Sequence, residues 1–115
     1  MAMIKAIEYE QRNGRVPEDV HEYCHYDLES TGNGETRYIE VKGHYGSQIS
    51  GELTDNEAIF AEKHADNYWL YIVCNVGYPE STKLLTFRNP LRTMKKRIIE
   101  TVITRKERRI ILTPY

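Results

Sequence analysis

An α/β domain is what this sequence predicts, and three local patterns predict it. Thr31-Gly32-Asn33-Gly34 separates two alternating segments, and Asn-Gly between such segments is the strongest short-range signal for a β-hairpin. Thr54-Asp55-Asn56-Glu57 has the S/T-x-x-E form of a capping box and opens a helix. Tyr68 to Val76 is a continuous β-branched and aromatic run, which reads as a strand covered on both faces.

Taken in chain order, residues 2 to 12 set Met3, Ile7 and the ring of Tyr9 among charged neighbours and read as a helix stopped by Asn13-Gly14. No N-cap precedes it, which reads as the start of a piece excised from a longer protein. Val16-Pro17-Glu18-Asp19-Val20 reads as a loop or the first turn of a short helix, because proline fixes its own φ and lacks a donor.

Residues 25–30 and 35–42 form the hairpin. With Asn33 and Gly34 as the central pair of a type I′ turn, opposed residue numbers sum to 67. This sets Asp27 across from Glu40, His25 from Lys42, Glu29 from Tyr38 and Leu28 from Ile39. One face then carries His25, Asp27, Glu29, Tyr38, Glu40 and Lys42, and the other Tyr26, Leu28, Ile39 and Val41. A bulge at Gly32 would shift the pairing by one.

A short strand is expected around Ser47 to Leu53, a helix from about Asp55 to His64, a turn at Asp66-Asn67, and a strand at Lys83 to Arg88 stopped by Asn89-Pro90. The tail from Arg97 to Thr113 fits two structures. Ile98, Ile99, Val102 and Ile103 make a helical stripe, while Thr-Val-Ile-Thr and Ile-Ile-Leu-Thr around Arg105-Lys106-Glu107-Arg108 make a hairpin.

The chain has 115 residues, 40% hydrophobic and 29% charged, which gives room for one core but not for separate cofactor and substrate domains. No apolar run approaches the roughly 18 to 20 residues that cross a bilayer. The first residues lack the apolar core and cleavage site of a signal peptide, so a cytoplasmic protein without membrane contact is expected. Cys24 and Cys74 are not a C-x-x-C pair and read as reduced thiols in or near the core. Net charge is −1 but unevenly placed: residues 1–82 carry a balance of −9 and residues 83–115 a balance of +8. Such a chain can hold a cation at one end and a polyanion at the other.

Asp27, Glu40 and Lys42 form a D…E-x-K set on one predicted face. Two carboxylates opposed across an antiparallel pair repel each other unless a cation lies between them. Mg²⁺ suits the pair, because it binds through one or two carboxylates and keeps waters for a phosphate substrate, and Mn²⁺ could take its place. Lys42, on the same face as Glu40, can hold an attacking water or stabilise charge on the phosphorus oxygens. The spacing alone is also what any solvated strand face looks like.

The surrounding motifs add to this. Tyr9-Glu10, Gly14-Arg15, Pro17-Glu18-Asp19-Val20, Tyr26-Asp27-Leu28-Glu29-Ser30, Arg37 to Gly43, Leu53-Thr54 with Glu57, and Tyr68 to Val73 occur in that order. Together they resemble the domain found at the carboxy end of the plant NO VEIN protein and in many prokaryotic defence and helicase-like proteins. That domain is placed in the PD-(D/E)XK, or restriction-endonuclease-like, superfamily. The resemblance spans roughly residues 3 to 90. It implies a central mixed β-sheet flanked by helices with an αβββαβ-type core, and a division into a nuclease-like domain (1–90) and a basic extension (91–115) packed on it. It further implies Asp27 and Glu40 as metal ligands, Lys42 as the catalytic lysine, and Glu10 as the helix glutamate that completes the acidic site. The sequence departs at position 25, where His25 stands in place of the usual glycine.

The activity expected from this resemblance is Mg²⁺-dependent phosphodiester hydrolysis of nucleic acid, DNA in the first place, in a defence or restriction setting. Its partners are other domains of a larger parent protein or, because such nucleases often cut as pairs, a second copy. The alternative is a catalytically silent module that binds nucleic acid or protein within a larger assembly. His21, His25, His44 and Cys24 could make a zinc site but read as loop residues, and Glu57 reads as a helix cap. Tyr68, Trp69 and Tyr71 could stack bases but read as core. Arg92, Lys95, Lys96, Arg97, Arg105, Lys106, Arg108 and Arg109 read equally well as phosphate contacts or as a solvated or partner-facing surface.

Overall fold

In the computed structural model, which describes residues 1–102 and 106–115, two sheets and three helices stack around two apolar clusters. Helix α1 (Ala2–Arg12) is followed by the strands β1 (Val16–Asp19), β2 (Leu28–Gly32) and β3 (Glu35–Gly43), paired in sequence as an antiparallel meander. After β4 (Gly51–Thr54), helix α2 (Asp55–His64) crosses back, and a 3₁₀ turn leads into β5 (Tyr68–Cys74), which lies parallel to β3. Strand β6 (Lys83–Arg88) pairs antiparallel with β5 and completes a five-stranded mixed sheet of order β1-β2-β3-β5-β6. A one-turn helix α3 (Pro90–Thr93) leads to β7 (Lys95–Val102) and β8 (Lys106–Thr113), which form a second sheet of order β4-β8-β7.

The hairpin forms in the expected register. Leu28 pairs with Ile39, Glu29 with Tyr38 and Gly32 with Glu35, and both Asn33 (φ 55°) and Gly34 (φ 76°) take the positive φ that a type I′ turn demands. Gly32 introduces no shift. The shift comes at the far end, because Asp27 is outside the ladder. Its amide donates to Ile39 O at 2.9 Å, and its carbonyl accepts from Val20 N at 2.9 Å. Residues 24–27 are therefore a bend, His25 is exposed and has no place opposite Lys42, and Tyr26 is turned to the face of Glu29 and Tyr38.

Val16 to Asp19 is a strand, not a loop or a helical turn. Pro17 is tolerated because β1 is an edge strand, where a missing donor can face away from the ladder. In the tail the hairpin prevails over the helical stripe. Pairing β8 with β4 buries Ile110 and Leu112 against Leu53, contacts that a lone helix would forgo. Val102 and Lys106 close the hairpin, while Ile103 and Arg105 lie outside the described residues. Cys74 is buried and donates to Gln48 O, but Cys24 is exposed rather than near the core.

Side-chain alternation divides the five-stranded sheet into two environments. Leu28, Ile39 and Tyr71 face α1 and pack with Ala6, flanked by Met3, Ile7, Val41 and Trp69. Tyr68, Leu70 and Ile72 face the other way, against Ala58 and Ala61 of α2, Met94, and the inner residues of the second sheet. No helix among the described residues is long and apolar enough to cross a membrane.

Candidate functional site

β1 ends, β2 begins and β3 ends at one end of the sheet, which brings Asp27, Glu40 and Lys42 together on the side covered by α2. Asp27 lies just before the first ladder residue of β2, and its Oδ2 accepts the amide of Val41 at 2.8 Å. This holds the carboxylate against β3 in spite of the off-register backbone. Glu40 is paired with Leu70 and Lys42 with Ile72 in the parallel ladder, so both point to the α2 face.

The first turn of α2 supplies a third carboxylate. Thr54 Oγ1 accepts from Glu57 N at 3.2 Å, while Glu57 Oε1 accepts from Thr54 N at 2.8 Å, a complete capping box. The same Oε1 lies 3.8 Å from Lys42 Nζ. Glu57 is therefore both a cap and the counter-ion of the lysine. The S/T-x-x-E motif revealed the first role, but nothing in the local sequence signals the second, which depends on where the crossover helix begins.

Glu40 is the electrostatic centre of this group. It is 3% exposed, and its Oε2 has no hydrogen-bond partner among the described residues. Burial, then hydrogen bonding with Asp27 and Glu57, push its carboxyl up to about 11, with Lys42 pulling the other way. Burial also acts on Glu57, but the hydrogen bond with Glu40, those with Thr54 and the charge of Lys42 hold it below the ordinary carboxylate range. The hydroxyl of Tyr68 is another buried polar atom without a partner among the described residues, and burial followed by the charges of Glu40, Glu57 and Asp27 raises its pKa. Sequence reading had placed Tyr68 in the core without marking this polar end. On the same face of the sheet, Tyr26, Tyr38, Phe60 and His64 pack together with ring centroids 4.1 to 5.5 Å apart.

Glu10 is not brought to this group. It lies beneath α1, fully buried, with Oε1 and Oε2 accepting from Arg15 Nε at 2.6 Å and Nη2 at 2.9 Å and Oε2 also accepting from Tyr71 OH at 2.6 Å. Tyr71 points to the α1 face, opposite to Leu70 and Ile72, so Glu10 and Glu40 are on different sides of the sheet. Arg37 extends the network, donating to Tyr71 OH at 2.9 Å and stacking 3.8 Å above the ring of Trp69.

Tyr68 and Tyr71 are fully buried and Trp69 is half-buried, so these rings belong to the core. His21 pairs with Asp19 and His44 with the Ser50 carbonyl. No group of three or more His, Cys, Asp and Glu side chains among the described residues is arranged to hold a metal. Asp27 and Glu40 offer two carboxylates, and the unpartnered oxygen of Glu40 fits a small hard cation that keeps most of its waters. No curated protein and no solved structure matches the chain. The family model described as Protein NO VEIN, C-terminal, matches residues 1–87, and the chain belongs to that family.

Proposed function

We propose that this domain hydrolyses phosphodiester bonds in nucleic acid, DNA in the first place, with a divalent cation, on a restriction-endonuclease-like variant of its α/β fold. The observation that carries the reading is Glu40: a buried carboxyl with an unpartnered oxygen, pressed against Asp27 and Glu57 beside an ammonium group. Such an arrangement costs stability and persists where a cation is to be received. The element order supports the fold, since a helix, an antiparallel three-stranded meander, a crossover helix and a parallel strand follow the αβββαβ order, with β4 added.

In this reading Asp27 and Glu40 would hold Mg²⁺ or Mn²⁺, which would supply Lewis acidity toward the phosphate and activate water. Asp27 is kept in place by the Val41 amide and shares a hydrogen bond with Glu40, so the two carboxyl groups would meet the cation together. Glu57 restrains Lys42, which orients the water and offsets charge developing on the phosphorus oxygens. Glu10 takes no part, because Arg15 and Tyr71 already engage it.

The test is cleavage of supercoiled and single-stranded DNA in Mg²⁺, Mn²⁺ or EDTA, comparing the wild type with Lys42→Ala. Metal-dependent cleavage that falls by about 10² to 10³ in the variant supports the assignment, on the scale of losing one charge-stabilising donor. Cleavage that survives the substitution, or none at all, favours the silent binding module.

A further inference from the structure

The β7–β8 hairpin lies beyond the residues matched by the family model, and the described cations of the basic tail gather there and at the neighbouring α3. Register sorts them. Lys95 pairs with Thr113, Arg97 with Ile111 and Ile99 with Arg109, and β4 continues the rows with Glu52 opposite Ile111 and Thr54 opposite Arg109. Opposed residues share a face, so Lys95, Arg97 and Arg109 point the same way. That way is outward, since the alternate residues Ile110 and Leu112 are buried against Leu53. All three cations are exposed, and among the described residues none of them makes an ion pair.

The hairpin is also joined to the candidate site. Arg108, the neighbour of Arg109, donates to Asp55 Oδ1 at 2.6 Å, and Asp55 is the first residue of the helix whose Glu57 restrains Lys42. Arg109 itself stands opposite Thr54, the cap of the same helix, so the outward row begins beside the first turn of α2. Charge complementarity narrows the ligand. The first 82 residues carry −9 and repel a polyanion, while residues 83–115 carry +8.

We infer that the outer face of the β7–β8 hairpin binds the phosphate backbone of nucleic acid through Lys95, Arg97 and Arg109 and leads it to the carboxylate site. The inference rests on the phosphodiesterase reading for the class of ligand and adds to it the surface that supplies affinity. Contacts of this kind set affinity and its salt dependence without reading sequence.

The experiment measures fluorescence anisotropy of a labelled 30-base-pair duplex and a 30-nucleotide single strand in EDTA across a salt series. The full chain is compared with Lys95→Gln/Arg97→Gln/Arg109→Gln, which keeps the edge strand polar. The expected result is a loss of roughly tenfold or more in affinity, and a slope of log K against log salt reduced by about 2.7 for the duplex, or 0.9 for each phosphate contact removed. Lys63→Gln, an exposed cation near the far end of α2, serves as the control and leaves binding unchanged. An unaltered slope in the triple variant, an equal loss in the control, or no binding by the wild type, as for a surface made for a protein partner, overturns the inference. Lys42→Ala separates the two claims: it retains binding and loses cleavage, whereas the triple variant raises KM and leaves kcat. Binding through the hairpin without any cleavage would remove the phosphodiesterase reading and leave this one standing.

Discussion

Two buried glutamates on opposite sides of one sheet have opposite fates. Glu10 accepts three hydrogen bonds, from Arg15 twice and Tyr71 once. Although burial alone would raise its pKa, those partners hold it below the usual value. Glu40 is as deeply placed but has carboxylates for neighbours and an oxygen without a partner, and its carboxyl is driven up to about 11. The contrast teaches that a buried charge by itself does not mark a site. What distinguishes the two is whether the surrounding protein completes the hydrogen bonding, as it does under α1, or leaves it open, as it does under α2.

The most severe way to break the comparison is Glu10→Ala. It leaves the Arg15 guanidinium, only 8% exposed, without its main partner, and the expected cost is about 3 to 5 kcal/mol in urea unfolding. A loss below 1 kcal/mol would show that the network under α1 is not a structural lock. Acid titration sharpens the same point. Since the folded-state pKa of Glu10 is depressed, its contribution is present above the unfolded value of about 4.5 and is lost as pH falls through the lower folded value. The acid limb of the stability curve should therefore flatten in Glu10→Gln, after allowing for that variant's lower plateau.

Glu40→Gln should act in the opposite sense. With a raised folded-state pKa, the wild-type side chain is protonated on both sides of the unfolding equilibrium below about 4.5, and stability declines as pH rises toward about 11. In EDTA the variant and the wild type should match near pH 4, and the variant should gain steadily over the wild type from about pH 5 to pH 8, as read by paired denaturant melts. A constant difference across that range would mean that Glu40 ionises normally. The smallest effect expected is that of Thr54→Ala, about 1 kcal/mol from the lost cap. Under the proposed hydrolysis it should be accompanied by a lower kcat, because Glu57 restrains Lys42, and unchanged kinetics would separate the cap from the site.

What could be read from the sequence was what local chemistry decides. The turn at Asn33-Gly34 set the register of β2 and β3 because two consecutive positive φ angles leave few alternatives, and Thr54 with Glu57 placed the start of α2. The bend at Asp27 was not legible. It arises from backbone bonds to Val20, just after β1, and to Ile39 in β3, two separate parts of the chain. The same cause moved Tyr26 to the other face and His25 into solvent. Glu10 was assigned to the acidic group by motif order, but motif order carries no information on which side of a sheet a helix packs. Alternation in β5 did contain a clue, because Tyr71 shares its face with Trp69 and not with Leu70. The tail stayed ambiguous because its apolar residues satisfy two periods, and pairing with β4, far upstream in the chain, settles it.

The double duty of Glu57 has a dynamic corollary. Its carboxylate is at once a hydrogen-bond acceptor for the end of β4 and the electrostatic partner of Lys42, so winding and unwinding of a single helical turn also catches and releases the ammonium group. Helix-end fraying happens on the submicrosecond scale, far faster than typical turnover. The lysine is thus presented as a time average over many captures, and amide exchange at Thr54 gauges the fraction of time for which it is let go.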